Sequence, residues 1–338
     1  MRNTTAALII GACVLACAAC AGQPSAPPVA AAQTTYPIGA TNGATLDRLV
    51  LNRPAVRAWV AHGSVASGKL VYVGNLGANA VDIFSVRGKN QQPVGTITSG
   101  INFPGGMTVD AKGNLYVANE RESDSLYSVT IYAKGTTTPS NVITEDLSSP
   151  TDVAVANDGT IYVANFNELD NGYVSVYPKG SIHKEYRLSD FNSGAPLSVA
   201  LDKSGNLYVM YDTSDTGGSA VNEYAPGAKT GTNLNLSFKY GGGIQVDDSG
   251  NIILVQQLQP SAFLVFPPGQ TMPSKTILLP NNDQSFSMAL DRKNHQLFAD
   301  DQSANQLDDL SYPALKVRRS LAGGFEEPTG VALSQPEF

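Results

Sequence analysis

A unit of about 45 residues recurs along most of the chain, and a repeat of that length restricts the fold to stacked supersecondary units. Lys112-Gly113-Asn114-Leu115-Tyr116-Val117-Ala118-Asn119 returns as Asp158-Gly159-Thr160-Ile161-Tyr162-Val163-Ala164-Asn165, and again in shortened form from Ser204 to Val209 and from Ser249 to Leu254. Weaker copies flank these at Leu70 to Asn75 and Gln296 to Asp300. The marker residues Tyr72, Tyr116, Tyr162, Tyr208, Ile253 and Phe298 are 44, 46, 46, 45 and 45 residues apart, which makes six units.

Each unit has the same internal order. A first strand carries apolar residues two apart, as at Met107 and Val109 or Val199 and Leu201. A tight Asp-x-x-Gly turn follows, as from Asp110 to Gly113, its glycine suited to the left-handed conformation that closes a hairpin. The marker strand comes next, then a third strand ending in an aromatic residue before a turn, as at Tyr132 and Tyr177, and a short fourth strand. No segment carries sustained helical periodicity. Marker strands apolar on both faces must be covered on both, and a radial stack of sheets does this. The fold class predicted is all-β, a six-bladed β-propeller of four-stranded blades. The first unit lacks a first strand, and Pro328-Thr329-Gly330-Val331-Ala332-Leu333 is a first strand without a unit. It is expected to pair into the first blade and close the ring.

These residues resemble the NHL-repeat and gluconolactonase/regucalcin-like six-bladed propellers, over about residues 66 to 334. Pro104-Gly105-Gly106-Met107-Thr108-Val109-Asp110, continuing to Ala118, follows their repeat closely. The resemblance is specific for architecture and weak for function, since the fold carries hydrolases, lyases and binding modules. In the gluconolactonase-like enzymes it implies a divalent metal in the central channel, held by Glu, Asn and Asp at the starts of the first strands. The matching positions here are Gly105, Thr151, Leu197, Gly242, Phe286 and Thr329, without a carboxylate or an Asn; a register shifted by one would bring in Asp152 or Glu327. Hard divalent cations want charged oxygen ligands. The three histidines, His62, His183 and His295, do not converge on that mouth, and no Gly-x-Ser-x-Gly elbow is present. The reading therefore leans away from an enzyme, with a lactonase-type metal-dependent hydrolase or lyase with a displaced site as the alternative.

The N-terminal region reads as export machinery. All three cysteines, Cys13, Cys17 and Cys20, lie in the first twenty residues, behind Arg2 and within or just after a short apolar run from Ala6 to Ala19. That run is short for a bilayer span and suits a signal peptide. Leu15-Ala16-Cys17-Ala18-Ala19-Cys20 resembles a bacterial lipobox, with Cys20 (or Cys17) as the lipidated residue. The domains expected are a signal peptide with a lipobox-like end at 1–20, an Ala/Pro/Thr-rich tether at 21–45, a lead-in at 46–65 and the propeller at 66–338. The localisation expected is an outer-membrane or cell-surface lipoprotein of the cell envelope, the alternative being a soluble periplasmic or secreted protein. No cysteine follows Cys20, so the propeller must be stable by packing alone, and thiolate zinc or a Cys nucleophile is excluded from it.

Charge supplies the remaining signal. The formal net charge is -7 with no Lys/Arg block, which argues against nucleic acid as a partner. Loops that join second to third strands and fourth to first strands open on one rim, here termed the top. That rim collects acids, and the opposite turns collect Arg87, Lys89, Lys112, Lys134, Lys179, Lys184 and other cations. The predicted ligand-binding set is Asn75, Asn119, Glu120, Asn165, Glu168, Asp170, Asp212 and Asp300, receiving a cationic ligand, calcium or a basic surface. No cofactor is otherwise predicted. The function expected is a non-catalytic binding or scaffold module, monomeric, with protein or envelope polysaccharide as partner and membrane contact through the lipid anchor only.

Overall fold

The computed structural model describes residues 59–60, 69–86, 92–120, 127–167, 172–213, 218–279, 283–291 and 295–334. The expected signal peptide, its cysteines and the tether lie outside them, as do Glu168 and Asp170. Among the described residues every regular element is a strand.

Six antiparallel sheets make the six blades. Blade 1 begins with β1 (Trp59–Val60), β2 (Leu70–Asn75), β3 (Ala80–Ser85) and β4 (Gly95–Ile97), and blade 2 holds β5 (Pro104–Val109), β6 (Leu115–Asn119), β7 (Ser128–Tyr132) and β8 (Asn141–Ile143). Blade 3 holds β9 (Pro150–Val155), β10 (Ile161–Asn165), β11 (Tyr173–Tyr177) and β12 (Tyr186–Leu188), and blade 4 holds β13 (Ala195–Leu201), β14 (Leu207–Asp212), β15 (Ser219–Tyr224) and β16 (Thr232–Asn233). Blade 5 holds β17 (Gly241–Val246), β18 (Ile252–Gln256), β19 (Ala262–Phe266) and β20 (Lys275–Leu278), and blade 6 holds β21 (Met288–Asp291), β22 (Gln296–Asp301), β23 (Gln306–Ser311) and β24 (Lys316–Leu321). The last strand, β25 (Pro328–Leu333), pairs with β2 and so becomes the innermost strand of blade 1. The ring closes as the repeat arithmetic requires. The lead-in contributes β1, which pairs with β4 and gives blade 1 a fifth strand on its outer edge.

The first hairpins of blades 2, 4 and 5 are each fixed by an aspartate of their own. Asp110 accepts from the amides of Lys112 and Asn114 at 2.9 and 2.8 Å and from Asn114 Nδ2 at 2.8 Å, while Gly113 supplies a φ of 86°. Asp202 with Asn206 and Asp247 with Asn251 repeat the arrangement. The turn therefore satisfies its own polar groups and can be copied around the ring.

The core is divided among the seams. One cluster joins Tyr72 and Val81 of blade 1 to Met107 and Val117 of blade 2, and another joins Phe84 and Val331 of blade 1 to Ala289, Phe298 and Leu307 of blade 6. Equivalent clusters fill the other seams. A large side chain buried in such a seam contributes roughly 1.5–3 kcal/mol, so the ring is held by many comparable contacts rather than by one center.

Candidate functional site

The inner strands β25, β5, β9, β13, β17 and β21 line a central channel. Near the top, the ladders between inner and marker strands shift register in blades 1 to 5, at Val73/Asn75, Pro104/Met107, Ala164/Asn165, Pro196/Ser198 and Gly241/Ile244. A bulge of this kind bends the strand and redirects its side chains. The freed groups bond from blade to blade. Thr329 Oγ1 donates to the Pro104 carbonyl at 2.6 Å, Thr151 Oγ1 to the Pro196 carbonyl at 3.3 Å, and the Gly243 amide to the Phe286 carbonyl at 2.7 Å. Ser198 Oγ accepts from the Ile244 amide and Ser287 Oγ from the Val331 amide, each at 3.2 Å. Blades 2 and 3 meet sterically, because any side chain on Gly106 would collide with the Asp152 carboxylate.

Asp152 sits within this ring. Its Oδ2 accepts from Ser198 Oγ at 2.7 Å and from the Val199 amide at 3.0 Å, and its Oδ1 accepts from its neighbor Val153 at 2.8 Å. Burial nevertheless outweighs those donors and pushes its carboxyl up to about 6. Above it, Glu120 follows β6 and folds over Gly105, where an added Cβ would lie 2.5 Å from Glu120 Oε1. Glu120 receives no hydrogen bond on its carboxylate from the described residues. Burial, and then the charge of Asp152, push it up to about 8. Gln257 occupies the matching place after β18, its Nε2 over Gly242, and its Oε1 is buried without a hydrogen-bond partner among the described residues. Blades 2 and 5 are three apart in a ring of six, so Glu120 and Gln257 approach the mouth from opposite sides. The channel below is lined by apolar side chains such as Met107, Val153, Ile244 and Met288 together with Asp152, Ser198, Gln245 and Ser287, and the surface it exposes is mainly polar.

The other expected ligands have local work. Asn75, Asn119 and Asn165 are buried at the ends of their marker strands. Each carbonyl accepts one loop amide, from Glu326, Asn102 and Ser148 respectively, at 2.9 Å. Asp212 accepts from Ser219 Oγ at 2.8 Å, and burial pushes it up to about 6. Asp300 is fully buried and accepts from the amides of Ser287 and Phe286 at 2.6 and 3.0 Å, with burial driving its carboxyl to about 8. Asn75, Asn119, Asn165 and Asp300 fasten the segments that lead into inner strands, and Asp212 ties β14 to β15. Of the predicted set among the described residues, the structure brings Glu120 alone to the channel mouth, beside Asp152, with Gln257 on the opposite side. Asp152 entered the sequence reading only through a shifted register, and Gln257 not at all; its signal is its place directly after the marker strand.

Charge is less segregated than the loop sorting implies. Lys184, assigned to the opposite face, reaches Asp146 at 3.0 Å, and Arg187 pairs with the same carboxylate while lying 3.8 Å over the Tyr173 ring. β8 and β12 are only three residues long, so the loop carrying Asp146 starts partway down the flank and meets the next blade's cations there. His183 is exposed and paired to Glu145 at 2.7 Å, His295 lies in a turn at φ 51°, and His62 is outside the described residues.

The metal implied by the resemblance does not fit this mouth. The six first-strand positions offer no carboxylate, and both oxygens of Asp152 are already engaged by protein donors. The gluconolactonase-like ligand set is therefore not reproduced.

No protein-family model matches the chain, and no curated protein matches it. Solved structures do. A chain from "Crystal structure of Nidogen/Laminin Complex" aligns with a TM-score of 0.60 at 16% identity, over 79% of this chain and 100% of that one. A chain of Kuenenia stuttgartiensis hydrazine synthase aligns with a TM-score of 0.54 at 16% identity, over 75% and 84%. The chain is a β-propeller. At these identities the likeness concerns the fold, and one of the two titles names a protein–protein complex while the other names an enzyme, so the shared architecture leaves function to the site.

Proposed function

We propose that this propeller is a non-catalytic binding module of the NHL-like kind that receives a cationic, hydrogen-bond-donating group of a protein partner at the top of its channel. The observation that carries this reading is the presence at the same channel mouth of a half-buried Glu120 carboxylate with no donor among the described residues and of Gln257, whose buried Oε1 is partnerless among them. Buried acceptors are costly until a donor arrives, and a lysine or arginine side chain supplies both donors and charge. The nidogen/laminin likeness supports a binding role by analogy of fold.

We further propose an extracytoplasmic location with a lipid anchor at Cys20 or Cys17. Its support is the clustering of every cysteine in the first twenty residues behind an apolar run. Metabolic lipid labelling of Cys20→Ser, Cys17→Ser and the double variant tests it, and label retained in the double variant refutes the anchor.

The binding reading is tested by calorimetry with N-acetyl-arginine amide, N-acetyl-lysine amide and a neutral glutamine analogue. Binding of the cationic probes, lost in Glu120→Gln and weakened in Gln257→Ala, is the expected result. Equal binding of the neutral analogue, or chelator-sensitive turnover of a lactone, would overturn it.

A further inference from the structure

The loop entering blade 6 and the sheet it meets differ at three matching places from those of blades 1, 2 and 3. In blades 1, 2 and 3 the last residue of the marker strand is an asparagine whose Nδ2 donates to a polar residue on the third strand: Asn75 to Asp82 at 2.8 Å, Asn119 to Thr130 at 3.2 Å and Asn165 to Ser175 at 3.2 Å. In blade 6 the same two positions are Asp301 and Asp308, by the pairings Asp301↔Gln306 and Ala299↔Asp308 that match Asn119↔Ser128 and Val117↔Thr130. A donor and an acceptor have become two acids.

The third place is on the incoming loop. The amides of Glu326, Asn102 and Ser148 bond the three asparagines, and the residues just before them, Phe325, Ile101 and Leu147, belong to the apolar packing of their seams. In blade 6 the amide of Gln284 bonds Asp301, so the apolar place is taken by Asp283. Asp283 is 4% exposed, and no described residue donates to its carboxylate; its backbone carbonyl alone is used, by the Ser261 amide at 3.0 Å.

One carboxylate oxygen from each of Asp283, Asp301 and Asp308 lies within 4.8 Å of the others, and all three residues are buried. The donors that reach them are neutral: Gln306 Nε2 to Asp301 at 2.9 Å and Asp308 at 3.2 Å, Ser320 Oγ to Asp308 at 2.5 Å, and the Ala304 amide to Asp301 at 3.1 Å. No ion pair to a lysine or arginine is formed by any of the three among the described residues. Three buried acids without a counter-charge are costly to ionise together, and a bound cation would let them ionise. Calcium binds carboxylate oxygens at about 2.3–2.6 Å, so oxygens with this spread can all reach one ion.

We infer that Asp283, Asp301 and Asp308 hold a calcium-class divalent cation that joins the loop entering blade 6 to the sheet of that blade, apart from the channel mouth. The ion takes over the role that an apolar side chain plays in the other seams. It fixes the segment from Asp283 to Ser287, and Ser287 Oγ in turn accepts the Val331 amide of the closing strand.

The test uses the full-length protein freed of metal by chelator and dialysis, then titrated with calcium, magnesium, manganese or zinc chloride while heat and thermal midpoint are measured. Saturable binding of about one calcium with a raised midpoint is expected. Asp283→Leu, which installs the side-chain class of the other seams, should fold and lose the calcium response. Asp308→Asn should lower calcium affinity about tenfold or more, and it serves if Asp283→Leu does not fold. A midpoint unmoved by all four metals with no binding heat, or a calcium response undiminished in both variants, overturns the site.

Discussion

The hydroxyl of Thr329 donates to the carbonyl of Pro104 at 2.6 Å, joining the chain's last strand to the second blade across 225 residues of sequence. Thr329→Val keeps the shape and removes the donor. It should lower stability by about 1 kcal/mol, read as a shifted denaturant midpoint with an unchanged slope. A change in slope would mean that the ring itself had opened.

Gly330 gives a sharper probe of the same contact. A Cβ there would collide with the Gly105 carbonyl and come within 2.9 Å of Gly106 Cα, and these are backbone atoms that cannot swing aside. Gly330→Ala should cost roughly 2–3 kcal/mol or more. Gly269, at φ 71° with nothing within 4 Å of an added Cβ, should cost only about 1 kcal/mol as Gly269→Ala. Similar losses at both sites would show that the inner strands are not packed as described.

At the channel mouth the pH dependence has a defined sign. Glu120 and Asp152 bind protons more tightly in the folded state, at about 8 and about 6, than ordinary carboxyls do. Their contribution to stability is complete below about pH 4 and is lost as pH rises toward 8. Glu120→Gln should therefore melt higher than the parent protein at pH 8 and nearly equal to it at pH 5. Parallel melting curves across that range would remove the buried-acid assignment.

Asp146 should behave in the opposite way. Burial pushes its carboxyl up, but hydrogen bonds from Arg187, Lys184 and Ser175 and the charge of Arg187 prevail and hold it below the ordinary carboxylate value. Its contribution is present above the unfolded value and fades as pH falls through the folded one. Because Arg187 and Lys184 are partly solvated, Asp146→Ala should cost only about 1 kcal/mol at pH 7 and less at pH 3. An undiminished difference at pH 3 would contradict the pairing.

The blade count and the marker strands were legible because each is a pattern inside one 45-residue unit, and the closing strand because it is the first strand that the first unit lacks. What was not legible lies between units. Asn75, Asn119 and Asn165 read as strand-end amides free for a ligand, yet the incoming loops fold back and use their carbonyls. Lys184 read as a cation of the far rim, but a short fourth strand leaves it level with Asp146. Asp283 and Asp301 counted as separate rim acids, with no sign that they join Asp308. A position-by-position comparison with Ile101, Leu147 and Phe325 carries that signal, because it shows acid where three repeats carry an apolar side chain.

The closing strand also sets an order of events in biosynthesis. Residues 70–97 are made early, but their sheet waits for 328–333 to supply its innermost member. Until the ribosome has delivered that segment, β2 presents an open, largely apolar edge of a kind that recruits other strands. A truncated product ending before residue 328 would retain that edge, so quality control could distinguish full-length from interrupted chains by one exposed strand.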